Sequence, residues 1–103
     1  MVYDKKDVTL ALAGDPAAFS RLYKAIYKDL FRIAYYTLSE RQDAEDAVSD
    51  AVTDAWKGIT NLKEAGAFEG WIITILIRKC NRCLAGRYRR SEFIDTTPED
   101  LSG

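Results

Sequence analysis

The sequence has no histidine. That removes the commonest general base near neutral pH and the commonest metal ligand. Its two cysteines, Cys80 and Cys83, are too few to supply the four ligands of a structural zinc site from one chain. Two prolines and six glycines in 103 residues leave little to interrupt a helix. There is no long hydrophobic run either. Gly70 to Ile77, "GWIITILI", is uncharged but closed off by Glu69 and Arg78. A membrane span needs roughly 20 such residues. The opening, "MVYDKKDVTLALAG", has an apolar stretch too short and broken for a signal peptide. A cytoplasmic setting is the expectation.

What is present suits one folded domain: 48% of residues are hydrophobic and 12% aromatic, too apolar a balance for disorder. The net charge of −1 conceals a segregation. Between Ser39 and Trp56 stand six acids (Glu40, Asp43, Glu45, Asp46, Asp50, Asp54) and one base, Arg41. Between Gly66 and Ser91 stand six bases (Arg78, Lys79, Arg82, Arg87, Arg89, Arg90) and one acid, Glu69. Such a chain can hold two partners of opposite charge, although two merely solvated helix faces give the same pattern.

Three segments have helical periodicity. The first opens "GDPAAF", with Asp15 as N-cap and Pro16 at the first helical position, and repeats apolar residues from Phe19 to Leu38 in steps of three and four. The second runs from about Asp43 to Ile59 with a stripe of small residues, Ala44, Ala47, Val48, Ala51, Val52 and Ala55. Asp43 is its expected cap. Glu45 and Asp46 then fall in the first turn, where the helix dipole favours acids; Asp50 and Asp54 lie beyond that explanation. In the third, "WIITILI" is β-branched enough for a strand. Yet Phe68, Trp71, Ile72, Ile75, Leu76, Cys80, Cys83 and Leu84 keep helical spacing for too long. Both cysteines sit on that stripe, which points to packed thiols rather than a redox or metal pair. Thr74, Arg78, Asn81 and Arg82 occupy the other face. "KKDVTLALA" can form a short extra helix before the first.

The expected fold is therefore all-α: a compact bundle of three main helices plus a possible short N-terminal one. Residues 1–90 form the domain. Residues 91–103, with four acids and no base, read as an acidic linker or disordered tail.

Taken in order, "GDPAAFSRLYKAIYKDLFRIAYYTL", "DAEDAVSDAVTDAW" and "LKEAGAFEGWIITILIRKC" resemble the second conserved region of bacterial sigma factors of the extracytoplasmic-function group. The resemblance covers about Gly14 to Arg90. It implies a non-enzymatic, cofactor-free role in transcription initiation. By position, Glu45, Asp46, Ser49, Asp50 and Asp54 would dock on a coiled coil of the largest RNA polymerase subunit. The loop Asn61–Phe68, with Trp71 behind it, would capture an unstacked base of the promoter −10 element. The candidates near bases are Lys63, Phe68, Trp71 and Thr74, with packing the competing role for Phe68 and Trp71. The candidates for phosphates of the non-template strand are Arg78, Lys79, Arg82, Arg89 and Arg90. Cationic grooves with aromatic pockets are how single strands are held.

Three positions depart from the family pattern. Ser49 stands where many relatives have glutamine, Thr74 where arginine or another polar residue is frequent, and Arg78 where asparagine is common. The promoter sequence read by this chain therefore does not carry over from relatives. The resemblance also implies a missing −35-reading domain, so a fragment is expected, and an anti-sigma protein is a possible partner. Two other readings stay open: a helical protein–protein adaptor with no nucleic-acid role, and a metal-dependent enzyme using Glu45, Asp46 and Asp50.

Overall fold

The structure, a computed structural model, describes the backbone of residues 1–95 and the side chains of residues 1–90. Four helices follow in order: α1 (Lys5–Leu12), α2 (Pro16–Leu38), α3 (Arg41–Gly58) and α4 (Phe68–Asp95). Two short 3-10 turns, Ile59–Asn61 and Ala65–Ala67, lie between α3 and α4. No strand occurs among the described residues, so the chain is all-α, and the extra N-terminal helix is present as α1.

The helix ends follow from local chemistry. The Asp4 carboxylate caps α1 by accepting from the Lys6 amide. The Asp15 carboxylate accepts from the amides of Ala17 and Ala18, ahead of Pro16 at the first position of α2. Gly14, at φ 97°, makes the backward turn between α1 and α2 that a side chain would oppose. Ser39, at φ 55°, ends α2 in the left-handed region, leaving only Ser39 and Glu40 between α2 and α3.

The start of α3 differs from the expectation. Glu40, not Asp43, is the cap: its carboxylate accepts from the Asp43 amide at 2.7 Å. Helix α3 therefore begins two residues earlier, and Glu45 and Asp46 stand in its second turn, outside the reach of the dipole's strongest effect. Their acidity has no helix-end explanation. At the other end, α4 continues to Asp95, so the boundary expected at Arg90 falls inside a helix. The remainder of the expected tail, residues 96–103, lies outside the described residues.

The core is shared by all four helices. Val8 and Ala11 of α1, packed on α2 and the 3-10 turns, join Leu22, Ile26 and Leu30 of α2 and Phe68, Ile72, Leu76 and Cys80 of α4 in one buried cluster. The buried face of α3 is Ala44, Ala47, Val48, Ala51 and Ala55. That nearly all-alanine face lets α2 and α4 approach closely on its two flanks. Burying Ile72 and Leu76 contributes about 1.5–3 kcal/mol each. This outweighs the modest helix propensity of the β-branched run, which is why "WIITILI" is helix.

Candidate nucleic-acid interface

Helix α4 carries two opposed stripes. Ile72, Leu76 and Cys80 point into the core. At 100° per residue, Arg78, Arg82 and Arg89 lie within about 40° of one another on another side, over a rise of about 16 Å. All three are exposed. Thr74 and Trp71 continue that stripe toward the helix start. The Thr74 hydroxyl is tied to its own helix, donating to the Gly70 carbonyl at 2.8 Å. Trp71 is half-buried, its ring edged against the end of α3, where a Cβ built on Gly58 would lie 3.6 Å from Cζ2.

The stripe leads into a cavity of about 590 Å³ at the loop end, lined by Leu62, Gly66, Ala67, Gly70, Trp71, Thr74, Ile75 and Arg78. The structure thus brings Trp71, Thr74 and Arg78 together with the loop. Phe68 is not among them: it is wholly buried, in edge contact with Tyr3, and has no surface to offer a base. Lys63 is exposed on the loop between the two 3-10 turns, outside this lining.

The acids of α3 divide. Asp50 faces the α4 flank, Asp46 points outward beside it, and Glu45 lies about 140° around the helix from Asp50. Glu45 pairs loosely with Arg41 at 3.6 Å, and Asp46 accepts from Gln42 Nε2 at 3.0 Å. Ser49 and Asp50 are exposed, and Asp50 makes no ion pair among the described residues. Asp54 is engaged: its carboxylate pairs with Lys79 of α4, and Lys79 is only 15% exposed along its side chain. Two residues expected at different partners, Asp54 at polymerase and Lys79 at DNA, thereby neutralise each other across the α3–α4 seam. The Lys79 ammonium holds the Asp54 carboxyl below the usual carboxylate range.

Sequence position alone assigns Arg87 no role. Its guanidinium donates to Asp43 Oδ2 through Nε at 3.1 Å and Nη2 at 2.6 Å, and to the Leu38 carbonyl through Nη1 at 2.7 Å. It straps α4 to the junction of α2 and α3 and satisfies a carbonyl at the end of α2. These hydrogen bonds push the Asp43 pKa down. The signal was available: Arg87 follows Cys80, Cys83 and Leu84 at helical spacing, and a base on an apolar stripe calls for a partner.

Between the two closed pairs runs a groove of about 310 Å³, where Asp46 and Asp50 of α3 share the lining with Arg82 and Arg90 of α4. The acidic and basic surfaces therefore adjoin along this groove rather than standing on opposite sides of the bundle. Cys80 is fully buried and Cys83 half-buried, both as free thiols. Burial raises both thiol pKa values, and the neighbouring Asp43 adds to the rise at Cys83. That chemistry is the reverse of an activated redox thiol. Among the described residues no three His, Cys, Asp or Glu side chains gather as metal ligands, and no helix is long and apolar enough to cross a membrane.

Comparison with known proteins shows the family. The sigma-70 region 2 family matches residues 22–91. Similar curated proteins include the ECF RNA polymerase sigma factor SigM of Mycobacterium tuberculosis, 34% identical over 91 residues, covering 87% of this chain and 44% of that protein. The RNA polymerase sigma-H factor of Pseudomonas aeruginosa is 27% identical over 97 residues, covering 94% of this chain and 50% of that protein. The chain spans about half the length of the curated relatives it matches. No solved structure matches it. The match takes in α3, the loop after it and most of α2 and α4, and the chain belongs to the sigma-70 region 2 family.

Proposed function

We propose that this chain is the promoter −10 module of a sigma factor in transcription initiation, docking on the coiled coil of the largest RNA polymerase subunit and holding the melted non-template strand. The observation that carries the strand role is the alignment of Arg78, Arg82 and Arg89 on one side of α4, continuous with the cavity containing Trp71 and Thr74. The arginines contact phosphates, and the cavity takes the unstacked base. Arg90, in the groove beside Asp46, supports the same strand more weakly.

On the polymerase side, Asp46, Ser49 and Asp50 are exposed on α3 with Glu45 half-buried around the helix, and their negative charge suits a basic partner and steers its approach. Asp54 and Lys79 hold the two surfaces in register instead of contacting either partner directly. Catalysis has no part in this role. An anti-sigma protein, where one exists, would cover the same two surfaces.

Co-purification with core polymerase tests the docking. The chain should be retained by polymerase, and Asp50→Lys should lose that retention while still binding single-stranded DNA. Retention equal to that of the unaltered chain would remove α3 from the interface. A chain that bound basic protein partners but no DNA would instead favour the helical adaptor.

A further inference from the structure

Behind the loop lies a second cavity, of about 480 Å³, lined by Tyr3, Lys5, Val8, Thr9, Ala65, Gly66 and Glu69. It shares Gly66 with the cavity that holds Trp71 and Thr74, so the loop is a thin wall between the two. Gly66 adds no side chain to that wall, and a Cβ built there would meet nothing within 4 Å. The lining has what base recognition requires. Tyr3 is an aromatic surface fixed edge-on to the buried Phe68, at 5.7 Å between ring centres. Glu69 is a carboxylate, held by the Tyr3 hydroxyl, which donates to Oε1 at 3.3 Å. Glu69 makes no ion pair among the described residues, so its second oxygen remains available as an acceptor. Lys5 is an exposed cation at the rim.

We infer that this cavity is a second nucleobase site, taking from the same single strand a base that carries an exocyclic amine. The site rests on the strand-binding role proposed above and extends it. Tyr3 provides the stacking face, Glu69 accepts from the amine, and Lys5 meets the adjoining phosphate. Adenine, cytosine and guanine present such an amine; thymine does not. One wall, Tyr3 to Thr9, lies before the residues matched by the sigma-70 region 2 family, which begin at Leu22. Glu69 of α4 sets the preference while the N-terminal segment supplies the stacking face and the cation, so α1 becomes part of the reading apparatus.

Fluorescence anisotropy with labelled single-stranded oligonucleotides tests this, each position being varied in turn through the four bases and an abasic residue. At one position other than that of the first cavity, dT and the abasic residue should bind about ten-fold more weakly than the other three, the scale of one hydrogen bond to a charged group. Glu69→Met, which keeps the length of the side chain and removes both acceptor oxygens, should collapse that ratio while leaving the preference at the first cavity intact. Tyr3→Leu, which keeps an apolar contact on Phe68, should make the chain indifferent to the abasic residue there. Because each readout is a ratio within one variant, a uniform change in affinity from altered charge cancels. Strand binding with no such position, or a ratio unchanged in Glu69→Met, overturns the second site and leaves the strand role standing. Failure to bind any oligonucleotide overturns both.

Discussion

The two halves of α4 are held by different forces. From Phe68 to Cys80 the helix is fixed by burial: Phe68, Ile72, Leu76 and Cys80 have at most 1% of their surface exposed. From Arg82 to Arg90 no side chain is fully buried: Cys83 and Leu84 pack partly on the core, and the Arg87 strap to Asp43 and the Leu38 carbonyl ties the rest. The first half therefore carries both the core and the cavity at the loop, while the second carries an exposed basic surface. An exposed surface, as the proposed phosphate-binding role requires, has its orientation set by ties made on its inner side. The Asp54–Lys79 pair marks the transition between the two regimes.

The largest expected effect lies in the first half. Leu76→Ala should cost about 2–5 kcal/mol in denaturant unfolding, because the residue is wholly buried between helices that cannot close the gap. Arg87→Ala should separate the halves. Hydrogen exchange should show amides from Arg82 onward losing protection while those from Ile72 to Cys80 keep theirs. Equal loss in both halves would mean that the strap supports the whole bundle.

A smaller effect follows from pH. Asp43 and Asp54 have pKa values lowered in the folded chain by Arg87 and Lys79. A group whose folded pKa lies below its unfolded value contributes stability that is complete above the unfolded pKa, about 3.9 for aspartate. That contribution falls away as pH drops below about 4 and through the lower folded values. Thermal unfolding between pH 7 and 2 should show the decline, and Asp43→Asn should flatten it. The smallest effect concerns the thiols: a water-soluble alkylating reagent should modify Cys83 before Cys80, which should react only on unfolding.

The fold was mostly legible because burial leaves a periodic trace. The Phe19–Leu38 stripe, the alanine face of α3 and the cysteines on the α4 stripe all read through to the structure. The start of α3 did not, because a glutamate cap lies outside the usual set of capping residues. Pairings between helices were hidden as well. Charge segregation along the chain shows that acids and bases occupy separate helices, but not that Asp54 and Lys79 meet, since that depends on how α3 and α4 are rotated against each other. Tyr3 was missed for a similar reason: it lies 66 residues from Glu69, and nothing local marks it.

The central claim is that the exposed stripe of α4, and not its clamped residues, holds a nucleic-acid strand. The salt dependence of single-stranded oligonucleotide binding tests it most directly. Arg78→Ala, Arg82→Ala and Arg89→Ala should each make the slope of log affinity against log salt shallower by about 0.7, one phosphate contact apiece, while Lys79→Ala leaves it unchanged. A slope the same in all four variants as in the unaltered chain, or one that changes only in Lys79→Ala, would contradict the account.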